Sequence, residues 1–276
     1  MKKIIVFVLV FVCSFLVSFK AFAVSESTAG SRQNTLSKPP YVLPTPKPYS
    51  ERSFKVEASD GQLIYAVLSY PKTKLKKYPT VILLNSIGRT NNSWKPLKIV
   101  LNNAGFAVLR MDFRGHGQSV YDKSFRQRSW ITYKHSDFEK FPSDVIAVID
   151  KVEKTTKKAD FSNYSIVGCD IGANTAVIVA KEFKYKPKAL VLMSPQMTFK
   201  GLYIPIALTE IGNAPILSIT SKTNLRFVEE QTKLSKFAQG IYDVYNTEAG
   251  GADVYLFKQY PELPNIISDW IKQYLK

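Results

Sequence analysis

The stretch Gly168-Cys169-Asp170-Ile171-Gly172-Ala173 is built like a strand that turns sharply into a helix and holds one side chain, Asp170, above the corner. Gly168 and Gly172 bring no Cβ to collide across such a turn, and Ala173 leaves room for the helix to pack. The helix N-terminus and the amide of Ile171 then face whatever stands above position 170 and favour negative charge there. The supply of proton carriers is thin. The chain has two histidines, His116 and His135, and none follows His135. His116 lies in the turn Arg114-Gly115-His116-Gly117, where a hydrogen bond within the loop accounts for it. Cys169 precedes the raised position, so its side chain points away from the mouth and reads as a buried thiol. Ser86 offers a hydroxyl, but no base partner can be named for it. Two cysteines and two histidines are too few for a disulfide scaffold or a Cys/His zinc cluster.

The elements that position these residues follow from hydrophobic periodicity. Residues 53–58 and 63–70 read as strands around the Asp60-Gly61 turn. Apolar runs at 80–84 and 107–111 have the continuous character of strands buried on both faces, and 164–167, 189–193, 215–219 and 241–245 read as further strands. Helical spacing runs over 93–103, 143–152, 171–183, 225–237 and 265–275, with Val145, Ile146, Ile149 and Val152 on one face of the second. Strands alternating with helices predict an α/β class with a mostly parallel central sheet and helices on both faces.

The chain is 45% hydrophobic and 22% charged, which excludes a disordered chain, and its 276 residues suit one α/β domain or two small ones. No collagen period, heptad run or longer internal repeat is present, so fibres, coiled coils and solenoids are excluded. Residues 1–23 read as a secretory signal, with Lys2 and Lys3, an apolar run over 4–19, and Ala21-Phe22-Ala23 as the cleavage site. Residues 24–50, with Pro39, Pro40, Pro44, Pro46 and Pro48, read as an extended tether, leaving a domain over 51–276. The expected location is exported: periplasm, envelope or extracellular. Cleavage removes Lys2, Lys3 and Lys20, so 35 basic residues face 22 acids and the net charge falls from +16 to +13. Such a charge attracts anionic lipid surfaces and polyanions. The lysines lack the interleaved aromatics of a nucleic-acid groove, so no specific nucleic acid is expected, nor a membrane span once the signal is gone.

Three motifs in order resemble the α/β-hydrolase family over about 54–275. They are Val81-Ile82-Leu83-Leu84-Asn85-Ser86-Ile87-Gly88 with Trp94, Asp112-Phe113-Arg114-Gly115-His116-Gly117-Gln118-Ser119, and the corner at 168–173. The resemblance implies a three-layer α/β-hydrolase fold, with the oxyanion-hole region at Asn85 and Ile171. It also implies a lid over 121–138, holding Trp130, Tyr133, His135 and Phe138. The family's chemistry needs a Ser nucleophile, a carboxylate and a histidine base. Here the nucleophile position is Asp170, the acid position is Asn224, and Asp253 stands where the histidine belongs. Asp170 resembles the nucleophile of the epoxide-hydrolase and haloalkane-dehalogenase branches, in which an ester forms and a histidine-activated water cleaves it.

If the fold holds, Asp170, Asn224 and Asp253 converge. Such a hard-oxygen cluster suits Ca²⁺, Mg²⁺ or a cationic ligand, with Asp170 and Asp253 as the metal-ligating carboxylates. No cofactor is expected. Two functional readings follow. One is an exported hydrolase-like protein without classical serine-hydrolase turnover, binding a small molecule or an anionic envelope component, or serving a structural role. The other is an active hydrolase on an ester, epoxide or haloalkane, with Asp170 as nucleophile.

Overall fold

The computed structural model describes residues 42–275. The secretory signal and residues 24–41 of the tether lie outside the described residues.

The chain forms strands β1 (Tyr49–Glu57), β2 (Leu63–Pro71), β3 (Tyr78–Leu84), β4 (Ala107–Met111), β5 (Ala159–Cys169) and β6 (Ala189–Met193). A two-stranded ribbon follows, β7 (Thr198–Phe199) with β8 (Leu202–Tyr203), and then β9 (Ile216–Ser221) and β10 (Tyr242–Thr247). The principal helices are α1 (Lys95–Asn103), α2 (His135–Phe138), α3 (Phe141–Thr155), α4 (Ile171–Glu182), α5 (Pro205–Glu210), α6 (Leu225–Ser235), α7 (Leu256–Gln259) and α8 (Leu263–Lys272).

Eight strands make one sheet in the order β1-β2-β4-β3-β5-β6-β9-β10. Strand β2 runs antiparallel to β1 and β4, and the other neighbouring pairs are parallel. Side chains alternate between two cores along the central strands. In β3, Ile82 and Leu84 enter one and Val81 and Leu83 the other; in β6, Leu190 and Leu192 oppose Val191 and Met193. The first core takes Val145, Val148, Ile149 and Val152 from α3, with Ala173, Ala176 and Val177 from α4. The second takes Leu97 and Leu101 from α1, with Leu263, Ile267 and Ile271 from α8. This is the expected three-layer arrangement. The inward face of α3 differs from expectation by one residue: Val148 is buried where Ile146 was expected, and Ile146 is only partly covered.

Two stretches depart further. Residues 45–48 of the expected tether are bonded to the domain: Lys47 N donates to Asn103 Oδ1 at 2.8 Å, and Asn103 Nδ2 donates to the Thr45 carbonyl at 3.0 Å. The ribbon and α5 had no counterpart in the periodicity, because elements this short bury too few side chains to show a period.

The corner between β5 and α4 is the tightest approach in the sheet. A Cβ on Gly168 would overlap the backbone carbonyl of Gly172, and one on Gly172 would overlap the carbonyl of Leu84 on β3. Neither obstacle is a flexible side chain. Gly172→Ala is expected to cost about 3 kcal/mol, whereas Gly251→Ala, with open space around it, should stay within about 0.5 kcal/mol. Urea denaturation of the two variants checks the contrast.

Candidate active site

Asp170 sits between β5 and α4 with φ 55° and ψ −119°, a conformation that a residue with a Cβ adopts only when its surroundings impose it. Its N–H donates to the Met193 carbonyl at 2.8 Å, and its carbonyl accepts from the Ala173 N–H at 2.9 Å. With its backbone pinned on both sides, the carboxylate is held above the carboxyl edge of the sheet. There Oδ2 accepts from the Ile87 N–H at 3.3 Å, and Oδ1 accepts from Gln196 Nε2 at 3.4 Å. The Ile171 amide also supports it. Burial pushes the carboxyl up from 3.8 to about 6; the Ile87 and Ile171 amides oppose the rise, the charge of Asp253 adds to it, and Lys200 pulls the other way.

Gln196 is itself locked. Its N–H donates to Asn174 Oδ1 at 3.1 Å, its carbonyl accepts from Asn174 Nδ2 at 2.8 Å, and its Oε1 accepts from Arg226 at 2.7 Å. The Asn174–Gln196 clamp ties α4 to the loop after β6.

Asp253 follows the Gly250-Gly251 loop with φ 80°. Its Oδ1 accepts from the Ser86 hydroxyl and the Val254 N–H, and the Cys169 thiol lies 3.6 Å away. Its Oδ2 accepts from Arg89 Nε at 2.9 Å. The Arg89 guanidinium rests 4.2 Å from the centre of the Tyr255 ring. A partner for Ser86 therefore exists, and it is a carboxylate in an ion pair with arginine. Burial pushes the Cys169 thiol well up, and Asp253 adds to the rise, so it stays neutral and inert.

The other expected site residues lie differently. Asn85 Nδ2 donates to the Met111 carbonyl at 2.7 Å, and the loop amide that reaches Asp170 belongs to Ile87 instead. Asn224 stands directly before α6 without a side-chain capping bond to the helix, and among the described residues its side chain makes no hydrogen bond to Asp170 or Asp253. The expected convergence of three residues is thus a pair of carboxylates. Among the described residues no group of three or more His, Cys, Asp or Glu is arranged to hold a metal ion.

His116 is buried with Nδ1 2.9 Å from the Arg114 carbonyl, and its ring stacks on Trp130 at 5.5 Å. His135 is exposed at the start of α2. Phe138 of the expected lid is a core residue, not a cover. A polar cavity of about 250 Å³ beside this segment is lined by Asp60, Arg114, Asp122, Arg128 and Tyr133 among others, not by Asp170.

A family model described as serine aminopeptidase, S33 matches residues 77–238, more than half of the chain. The chain belongs to this family. Solved structures similar to it include an esterase from Pyrococcus furiosus, at 18% identity and TM-score 0.65 over 86% of this chain and 97% of that one. A dienelactone hydrolase from Anabaena variabilis has 16% identity and TM-score 0.62 over 83% and 99%. An acetyl xylan esterase from a Paenibacillus species has 14% identity and TM-score 0.61 over 82% and 84%. At such identities the likeness shows the fold, the α/β-hydrolase fold. No curated protein matches the chain.

Ile87, Arg89, Gln196 and Arg226 escaped the sequence reading. Arg89 had a signal, a charged residue directly after Gly88 in a loop placed beside the corner. Gln196 and Arg226 had none, since only the folded chain brings them together.

In folded protein Asp170 holds its proton to about pH 6, against 3.8 for the ordinary group. The unfolded chain binds fewer protons in that window, so this group lowers stability as pH rises from about 4 to 6, and its full cost stands above it. Asp170→Asn removes the ionisation. Its advantage over wild type should be small near pH 4 and grow to about 2–3 kcal/mol at pH 7, at ~1.4 kcal/mol per pH unit. Thermal melts of both proteins from pH 4 to 7 check this; a gap independent of pH would contradict the assignment.

Proposed function

We propose that this S33-family protein is exported, runs no Ser-His-Asp cycle, and serves the envelope as a binding or structural protein. One observation carries the reading. The Ile87 and Ile171 amides, placed where the fold receives the oxygen of a tetrahedral intermediate, already hold the carboxylate of Asp170. An acyl oxygen would have to displace a charged group to bind there. The position opposite is filled by Asp253, and Arg89 engages the oxygen that an incoming proton would need. No histidine follows His135 to take the base role. A small molecule or an anionic envelope component is the partner this reading expects. The charged start, apolar run and small-residue cleavage site over 1–23 support export.

A second reading has support of its own. Asp170 is ionised above about pH 6 and sits at a nucleophile corner, so its carboxylate could attack a substrate carbon, expel the leaving group and form an ester. Water must then cleave that ester, and the groups available to activate it are carboxylates.

The two part under one experiment. Purified protein and Asp170→Asn are incubated with short acyl esters, epoxides and haloalkanes, with product release followed by chromatography and intact mass by spectrometry. The first reading expects no turnover and no adduct. Turnover abolished by Asp170→Asn establishes the second. A single adduct on Asp170 without turnover marks a site that completes only the first half of the reaction.

A further inference from the structure

The lysines that look scattered along the sequence meet at one end of the fold, opposite Asp170. The loop before β3 contributes Lys72, Lys74, Lys76 and Lys77, all exposed. The end of α3 and the approach to β5 contribute Lys151, Lys154, Lys157 and Lys158. The loop before β6 contributes Lys184, Lys186 and Lys188. These segments touch: Lys158 Nζ donates to the Leu75 carbonyl at 3.2 Å, the Tyr78 N–H donates to the Lys158 carbonyl at 3.0 Å, and Lys184 pairs with Glu153 at 2.6 Å.

Acids do not balance them. Asp160 pairs with Lys77 and Glu153 with Lys184, while Asp150 and Glu182 lie nearby on α3 and α4. Lys72, Lys74, Lys76, Lys151, Lys154, Lys157 and Lys188 have no carboxylate partner among the described residues. The exposed Leu75 and Tyr185 stand among them. Asp170 follows the far end of β5, and a strand of 11 residues places it roughly 30 Å away.

The chain enters the described domain at this same end. Residues 45–48 lie against Asn103 at the close of α1, and the Lys72 N–H donates to the Pro48 carbonyl at 2.9 Å. Residues 45–48 thus lead into β1 on the side of the lysines.

We infer that this lysine face docks on an anionic phospholipid surface, with Asp170 turned away from the bilayer. Ammonium groups crowded on one end, with an apolar side chain between them, match a layer of lipid phosphates. Sequence-specific nucleic-acid readout needs planar or bidentate donors, and this face is built of lysine. The inference rests on the envelope reading for location alone. Vesicle binding reads the face whatever the compartment, whereas cell fractionation reads the compartment.

The full chain is sedimented with vesicles of phosphatidylcholine alone or with one-third phosphatidylglycerol. Binding that does not depend on charge is common to both, so the ratio isolates the charge contribution. Phosphatidylglycerol should strengthen binding, and the gain should vanish near 0.5 M salt, where screening reaches only a few ångströms. Replacing Lys74, Lys76, Lys154 and Lys157 together by Gln should cut the gain at least ~30-fold. The same four changed to Arg should keep it. Lys123, Lys134, Lys222 and Lys258 changed to Gln remove equal charge at the other end and should cut it less than ~3-fold. Absence of a phosphatidylglycerol preference, equal loss in both Gln sets, or loss in the Arg set overturns the inference. So does tighter binding of a single-stranded oligonucleotide that the first Gln set abolishes, which would give the face to nucleic acid.

Discussion

The close crossing of α4 over β3 and β5 governs the rest of this molecule. Gly172 lies so near the Leu84 carbonyl, and Gly168 so near the Gly172 carbonyl, that neither position admits a Cβ. Because the helix seats this deeply, the residue between strand and helix is forced to φ 55° and raised to the sheet edge. The same seating draws the loop after β3 toward the corner, which is why the Ile87 amide reaches Asp170. A cradle built to favour negative charge has received a carboxyl group from the chain itself. Burial without a counter-ion in direct contact then makes the carboxyl hold its proton longer than usual.

Around this corner the scaffold is intact. Asp112 accepts from the Asn91 N–H at 2.6 Å and from the Gln118 N–H at 2.9 Å, tying two loops together at the sheet edge. Arg114 makes a two-pronged pair with the buried Asp144, at 2.7 and 2.6 Å, and reaches Asp60 at 2.7 Å. Removing one member of such a buried set leaves an uncompensated charge, so the set resists change for reasons of stability alone. Residues that hold the loops and residues that would move protons are thus separate populations. The first can persist while the second is replaced, so fold likeness does not decide activity.

Charge is distributed with the same division of labour. The carboxyl edge of the sheet holds Asp170, Asp253 and their partners, and the opposite edge gathers the loops rich in lysine. In an alternating α/β chain every second connection returns to the same edge. Lysines far apart in sequence therefore share one surface whenever they fall in the connections that lead into strands.

The sheet, its two-sided burial and the glycine corner were legible from residue type and spacing, because each rests on contacts local in sequence or on a period of hydrophobicity. The absence of a histidine after His135 was equally legible, being a matter of composition. The family resemblance placed Asp170 and Asp253 at one edge, but also implied Asn224 beside them and Asn85 in the cradle. Tertiary structure alone assigned the partners: Ile87 rather than Asn85 on Asp170, Gln196 locked by Asn174 and Arg226, and Arg89 with Ser86 on Asp253. Hydrogen bonds and ion pairs between loops depend on where side chains end in space, to within an ångström, and no period along the chain encodes that distance.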